Sequence, residues 1–357
     1  MKNSLLPLLA LCFCLACQQQ AQQTSNTAAA TVNAPTTSAA INTAMTQAAK
    51  NFLNSLDDEL KTAASLPYDH EDREQWDFVP LDNRRGARIS LMNEQQQRLA
   101  YELLQTGLSE KGYRLARDIM ELESVLQIIE KQKADSDYRQ PEKYFISIFG
   151  TPDPIEPWAW SYEGHHLSLN YSSVDGKVAV TPAFVGSNPA EIRIDPGRGR
   201  RVLGDREDAG RVFMLSLNEK QQQTALISEE AYPEIVTGTE SFAKLENFEG
   251  LSFSAMDAAQ QEALVDLLKL HMNIAKKDVM DQYWKKIEKE GLENIFFAWA
   301  GGLKKNQKHY YRIHTPSTII EYDNAQNSGN HAHIVWRDLD NDFARDWLKE
   351  HHEKHAH

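Results

Sequence analysis

The sequence predicts an α+β fold: a single large domain in which helices pack on a mixed or antiparallel sheet. Three observations carry this expectation. Helical spacing fills the first third of the chain and returns later. Strand-like runs cluster between residues 144 and 180, and again between 295 and 337. No strand–helix–strand alternation, no Gly-x-Gly-x-x-Gly and no Walker sequence intervenes. With 357 residues, 41% of them hydrophobic, the chain has ample material for one core.

The N-terminus reads as targeting sequence. Lys2 is a short basic region, and Leu5 to Ala16 is an apolar run of signal-peptide length, too short to span a bilayer. Leu15-Ala16-Cys17 has the form of a bacterial lipoprotein cleavage site with Cys17 as the lipidated residue, although Cys14 stands where such sites usually carry leucine. Plain secretion is the alternative. Stable anchoring needs more than one acyl chain. Gln18, in place of aspartate, points to the outer membrane, with the domain facing the periplasm. Gln18 to about Ala40, rich in Gln, Ala, Thr and Ser, reads as a flexible tether. The expected organisation is a signal peptide over 1–16, lipidated cysteine and tether over 17–40, one domain over 41–352, and a His-rich tail over 353–357.

All three cysteines fall in the leader, so the mature domain has no disulfide and no thiolate, and a metal would need nitrogen and oxygen ligands. A formal net charge of -13 argues against a nucleic-acid partner and against an anionic membrane surface, leaving the lipid as the membrane contact.

Along the domain, Ala44 to Leu66 has helical spacing, with Phe52, Leu53, Leu56 and Leu60 on one stripe, and Pro67 stops it. A helix-start signal occurs three times: Asn93 with Gln96, Asn218 with Gln221, and Asp257 with Gln260, each a capping-box variant behind an apolar residue. The flanking residues match poorly, so we read three independent good caps rather than a duplication. The helix after Ser109 carries Leu115, Ile119, Leu122, Leu126 and Ile129 in steps of four and three. Tyr144 to Phe149 is a strand. Trp158 to Tyr171 reads as one long strand, followed by an Asp175-Gly176 hairpin turn. Gly197 to Gly210 reads as a loop in which Arg198, Arg200, Arg201 and Arg206 could cradle an anion, but Asp195, Asp205, Glu207 and Asp208 surround them, so a self-neutralised surface loop is the preferred reading. A helix over 278–290 precedes strands at 295–300, 310–314, 318–323 and 331–337. A last helix spans 342–351.

Chemistry concentrates in the histidines. On a strand from His331, period-two alternation puts His331, His333, Val335 and Arg337 on one face and Ala332, Ile334 and Trp336 on the other. The apolar side goes to the core, so both rings point to water or a cleft. In the earlier strand His165 falls with Leu167 and Leu169 on the buried side, and His166 with Ser168 and Asn170 on the polar side. Glu321, sharing a face with Ile319 and Asp323, is the expected carboxylate neighbour. Three histidines and a carboxylate suit a divalent metal, zinc first, with iron, manganese or copper as alternatives. The competing readings are a polar cleft with hydrogen-bonded histidines, and unrelated surface histidines. His355 and His357 read as a weakly chelating tail.

Several longer motifs bear a resemblance. They are Trp76-Asp77-Phe78-Val79-Pro80, Ile148-Phe149-Gly150-Thr151-Pro152, Trp158-Ala159-Trp160 running into Gly164-His165-His166-Leu167-Ser168-Leu169-Asn170, and Thr181-Pro182-Ala183-Phe184. Glu321-Tyr322-Asp323-Asn324, His331 through Asp338, Asp342-Phe343 and His351 continue the series. Over about residues 50–352 the chain resembles the bacterial domain-of-unknown-function family 3500 (DUF3500). Ala332, where a larger aliphatic residue is common, and Ala344, where glycine is common, depart from its pattern. The resemblance implies an exported or lipid-anchored domain and supplies no mechanism.

The resulting expectation is an exported metalloenzyme, a hydrolase by preference and an oxidase by alternative. His166, His331 and His333 bind the metal. Glu321 is a fourth ligand or general base, and Arg337 holds an anionic group of a small-molecule substrate. His165, Asn170 and His351 are second-shell or core groups, and Trp158 or Trp160 walls the pocket. The competing classes are a lipid-tethered protein that captures a ligand or metal without turnover, and an envelope structural protein.

Overall fold

The chain runs through one series of elements twice. In the computed structural model, which describes residues 38–355 except 134 and 246, the first pass is α1 (Ser38–Ser55), α2 (Asp58–Ala64), β1 (Ser65–Leu66), β2 (Ala87–Arg88), α3 (Glu94–Gly107), α4 (Glu110–Ile129), β3 (Tyr144–Phe149), β4 (Trp158–Gly164), β5 (Leu167–Val174), β6 (Lys177–Ala179) and β7 (Ala183–Ser187). The second is α5 (Gly204–Ser216), α6 (Glu219–Ala225), β8 (Leu226–Ser228), β9 (Leu251–Ser252), α7 (Ala258–Met272), α8 (Lys277–Glu290), β10 (Phe296–Gly301), β11 (His309–His314), β12 (Thr318–Asn324) and β13 (Ala332–Asp338). A closing helix α9 (Arg345–His355) follows. The leader, Cys17 and the tether up to residue 37 lie outside the described residues.

The correspondence extends to single hydrogen bonds. Asn93 and Gln96 close a complete capping box at α3, and Asp257 and Gln260 do the same at α7. The Gln96 amide then donates to the Ser55 carbonyl at 3.0 Å, ending α1, and the Gln260 amide donates to the Ser216 carbonyl at 3.2 Å, ending α5. Gln97 donates to the carbonyls of Ile89 and Met92; Gln261 donates to those of Phe253 and Met256. Gly86 and Gly250 sit at φ +103° and +96°, where an added Cβ would strike the carbonyls of Ile146 and Phe297. The third box, Asn218 with Gln221, opens α6. Its counterpart α2 keeps the capping Asp57 but carries Leu60 in place of the glutamine. The caps are therefore parts of a structural repeat, not independent inventions. The flanking sequence hid this because the fold demands only the cap atoms and the close-approach glycines, while the apolar positions between them tolerate any well-packed residue.

All thirteen named strands join one open mixed sheet, with central order β1-β3-β4-β5-β7-β13-β12-β11-β10-β8. Among the described residues, pairing is parallel only at β1–β3 and β8–β10, the two ends of that order. The order reads the same from both ends in terms of the repeats, which meet where β7 pairs antiparallel with β13. The fold is thus α+β, as expected. One face packs on the helices: Trp158, Trp160, Tyr162, Tyr171, Tyr311, Tyr322 and Trp336 are buried there. The other face carries polar side chains and is covered by the two long connections, residues 67–86 and 229–250. Trp76, Phe78 and Ile235 from these connections pack with Phe184, Val335 and Phe343.

Some boundaries moved. The helix expected over 44–66 starts at Ser38 and breaks at Asp57, whose carboxylate accepts from Leu60 N–H at 3.0 Å and restarts it as α2. A 3-10 turn over Asp342–Ala344 leads into α9, which continues through His355, so the expected tail is helical that far. The arginine-rich segment is self-neutralised, Arg198 pairing with Asp195, Arg201 with Asp208 and Glu207, and Arg206 with Asp205, but the loop expected over 197–210 becomes helix α5 at Gly204, where Arg206 and Glu207 are buried.

Gln96 satisfies an orphan helix donor and ties α1 to α3 with one side chain. Gln96→Ala should cost about 1–3 kcal/mol, and Gln260→Ala a similar amount, read by chemical denaturation. A cost below about 0.5 kcal/mol for either would mean the box contributes nothing beyond a surface substitution.

Candidate metal centre

His165 and His166 are the two turn residues of the β4–β5 hairpin, where Gly164 pairs with Leu167. The expected continuous strand, and the alternation that put His165 on the apolar face, are therefore corrected. Both side chains leave the sheet at its end. His166 has φ 62°, a left-handed conformation uncommon for a non-glycine residue. Its backbone is held on both sides: its N–H donates to the Phe78 carbonyl at 2.9 Å, and its carbonyl accepts from Gly186 N–H at 2.7 Å. Tyr144 O–H fixes the His165 carbonyl at 2.7 Å. Gly186 makes the room, since a Cβ there would lie 2.7 Å from His166 Cδ2.

On the other repeat, His331 precedes β13 and its N–H donates to Asn324 Oδ1 at 3.0 Å. His333 lies within β13, opposite Gly186 on one side and Asp323 on the other. Alternation sends Ala332, Ile334 and Trp336 to the helix side, as expected. The opposite face is covered by the two long connections rather than open to water: His166 and His333 are buried, and His331 is half-buried.

The three rings converge. His331 Nε2 lies 2.7 Å from His166 Nε2 and 3.0 Å from His333 Nε2, and each ring offers an atom within 4.8 Å of the others. A single ring nitrogen presents one lone pair or one N–H in its plane. His331 Nε2 can therefore satisfy one of the two nitrogens aimed at it, and the second contact needs something positive between them. Nitrogens bound to zinc at tetrahedral angles, with bonds of about 2.0–2.1 Å, stand roughly 3.4 Å apart, so small ring movements suffice to admit a cation.

Electrostatics prepares two of the rings as neutral donors. Burial, followed by the charge on His333, pushes the His331 imidazole down to about 3. Burial and the neighbouring histidines hold His166 well below its ordinary value. His333 is the exception. Burial opposes its charge, but hydrogen bonds to Asp323 and Glu234 outweigh it and raise the ring to about 9. Its Nδ1 lies 2.7 Å from Glu234 Oε1 and 3.4 Å from Asp323 Oδ2. Carboxylates behind the outward nitrogen of a ligating histidine fix its tautomer and raise its basicity. His165 supplies a further layer. Its ring stacks on His166 at 3.7 Å, and its Nδ1 lies 2.5 Å from Glu123 Oε1 and 2.9 Å from Arg139 Nη1.

Other expected members lie elsewhere. Glu321 is buried and saturated: it accepts from Val236 N–H, from Thr237 N–H and O–H, and from Tyr310 O–H, so it has no oxygen left to act as ligand or base. Arg337 is fully buried and bound to Asp342 and the Glu240 carbonyl, with its Nη1 unpartnered among the described residues and sealed from the surface. Asn170 binds the Pro182 carbonyl within the sheet. His351 pairs with Asp175 at the far end of β5. Trp158 and Trp160 are buried on the helix side and wall nothing. Sequence reasoning missed Asp323, Glu234, Glu123, Arg139 and Gly186. Asp323 was legible as a face-mate of Glu321, but only the register selects it.

Residues 38–345 match the family described as Protein of unknown function (DUF3500). The chain belongs to this family. No curated protein and no solved structure matches it. Ala344, where the resemblance leads us to expect glycine, sits at φ 58° beside Phe343 at φ 59°. Glycine adopts that left-handed region without penalty.

Gly186→Ala should drive the His166 ring off its position. The expected loss is about 1–3 kcal/mol in chemical denaturation, with displacement of the His166 imidazole signals in NMR. Unchanged stability and unchanged signals would show that the ring does not need that space.

Proposed function

We propose that this protein is a lipid-anchored metalloprotein of the bacterial cell envelope, in which His166, His331 and His333 hold one divalent ion at a hydrolytic centre. The supporting observation is the convergence of three imidazole nitrogens on one point, with contacts of 2.7 and 3.0 Å that a single shared proton cannot satisfy. Three imidazole nitrogens without thiolate fit zinc, with iron or copper next, and binding would displace the proton that Asp323 and Glu234 favour on His333. Such an ion, if held by these three residues, would supply Lewis-acid activation of water for hydrolysis. Asp323 and Glu234 orient His333, and His165 backs His166. Burial raises the Asp323 carboxyl from its ordinary value. The substrate is a small molecule whose recognition does not involve Arg337.

A second reading, capture of a metal without turnover, draws on the aromatic cover. Phe78 and Phe184 stack at 4.0 Å, and each lies 5.0–5.3 Å from the His333 ring, narrowing access on that side.

Elemental analysis of protein purified without an affinity tag should find about one equivalent of a transition metal. His331→Ala/His333→Ala should remove it. Less than half an equivalent, unchanged in the variant, overturns the centre. Turnover of ester, amide or phosphoester substrates by the metal-loaded protein, lost on chelation, distinguishes hydrolysis from capture. The envelope assignment rests on Cys17. Mass spectrometry should find the mature protein beginning there with acyl chains, and an unmodified start elsewhere would reject the anchor.

A further inference from the structure

We propose that Asp175, His351 and His355 form a second divalent-metal site, one that locks the C-terminal helix onto the β5–β6 turn. It is independent of the three-histidine centre, lying at the opposite end of β5. His351 and His355 are four residues apart on α9, so their rings project from one face, and their centroids are 4.6 Å apart. The sequence alone made His355 part of a loosely chelating tail. The fold adds a third ligand from a distant part of the chain: Asp175 Oδ1 lies 2.6 Å from His351 Nδ1. Ligand atoms of all three residues fall within 4.8 Å of one another.

The site is built on fixed parts. Asp175 occupies the hairpin turn at φ 50°, with its N–H held by the Ile155 carbonyl at 3.1 Å. His351 is buried. The first turns of α9 are anchored by Trp347, which packs with Val174, Ala179 and Ala344 and lies under the Lys177 ammonium. Beyond Trp347, α9 meets the hairpin through Asp175 and through Glu350, which lies 3.8 Å from the Lys177 ammonium. Lys354 stands 3.8 Å from Asp175 Oδ2 and partly neutralises it. Two imidazoles and a carboxylate, with a fourth position open to water, suit zinc, nickel or copper rather than magnesium or calcium. A metal there would hold the last turns of a helix that would otherwise fray.

Zinc titration of the full chain by calorimetry should show two classes of site. His355→Ala and Asp175→Asn should each weaken the second class at least about tenfold while leaving the first unchanged. Asparagine tolerates the left-handed turn, so the second variant removes the charge without unfolding the hairpin. Zinc should also slow amide exchange over residues 345–355 in the wild type and in neither variant. If His355→Ala weakens binding but Asp175→Asn does not, the histidines chelate as a loose tail and the proposal falls. It falls equally if neither variant changes the affinity. In His331→Ala/His333→Ala protein the second class should persist, which separates failure of this site from failure of the first.

Discussion

The pairing of β7 with β13 is the constraint on which the rest of the molecule depends. It joins two repeats that each bring a sheet edge to the seam. It also fixes which residues face one another: His333 against Gly186, Val335 against Phe184, Trp336 against Ala183. A slip of one residue would turn His333 toward the helices and Trp336 toward the polar connections. The register is protected on both faces. Trp336 is buried against Tyr283 at 4.8 Å on the helix side, and Phe184 and Val335 are buried under Trp76 and Phe78 on the other. The three imidazoles meet because this seam places the end of the β4–β5 hairpin beside the start of β13.

The face away from the helices is unusual in being both polar and buried. Glu163, Ser168, Asn170, Glu321, Asp323, His333 and Arg337 all lie on it with little exposure. Buried polar groups are tolerated when partnered and costly when not. The long connections supply most of those partners, leaving Arg337 Nη1 without one among the described residues. Backbone N–H groups of residues 236 and 237 neutralise Glu321, the Glu240 carbonyl binds Arg337, and Glu234 binds His333. The connection over 67–86 does the same work on its side, with Arg85 bound to Glu163 at 3.2 Å and the Phe78 carbonyl holding His166. The connections therefore set the electrostatics of a face that the strands only scaffold. This is why the scaffold can repeat while the site does not.

Much of the scaffold was legible because it rests on local physics. Caps at Asn93, Asn218 and Asp257, the apolar stripe after Ser109, and the strands over 144–149 and 332–338 all follow from short-range pattern. The histidine group was half legible. Alternation placed His333 correctly on the face opposite Ala332 and Trp336, because a period of two holds inside a strand. It failed at His165 and His166, because Gly164-His165-His166-Leu167 has none of the Asn-Gly chemistry that advertises a two-residue turn. Glu321 was preferred over Asp323 because both share a face, and only the register, which pairs Asp323 with His333, separates them. Glu234 could not be found at all: it sits in a long connection whose path is set by what the sheet face needs, not by its own sequence.

The repeat sharpens the meaning of the site by showing what its counterpart lacks. Tyr171 and Tyr322 occupy equivalent places, since each pairs with and stacks on an aromatic of the preceding strand, Trp160 and Tyr311. The next residues are Ser172 in one repeat and Asp323 in the other. Ser172 pairs with Ala179, whereas Asp323 pairs with His333. The turn residue equivalent to His166 is Ser317, whose carbonyl accepts from Leu339 N–H at 2.7 Å just as that of His166 accepts from Gly186 N–H. Each half thus preserves the backbone geometry, yet none of these counterparts carries an imidazole or a carboxylate. A requirement of the fold alone would act on both halves alike. Histidines and carboxylates that each half contributes at places where its counterpart carries neither, converging where the halves join, answer to something the scaffold does not need, and a cation held at the seam is what their chemistry fits.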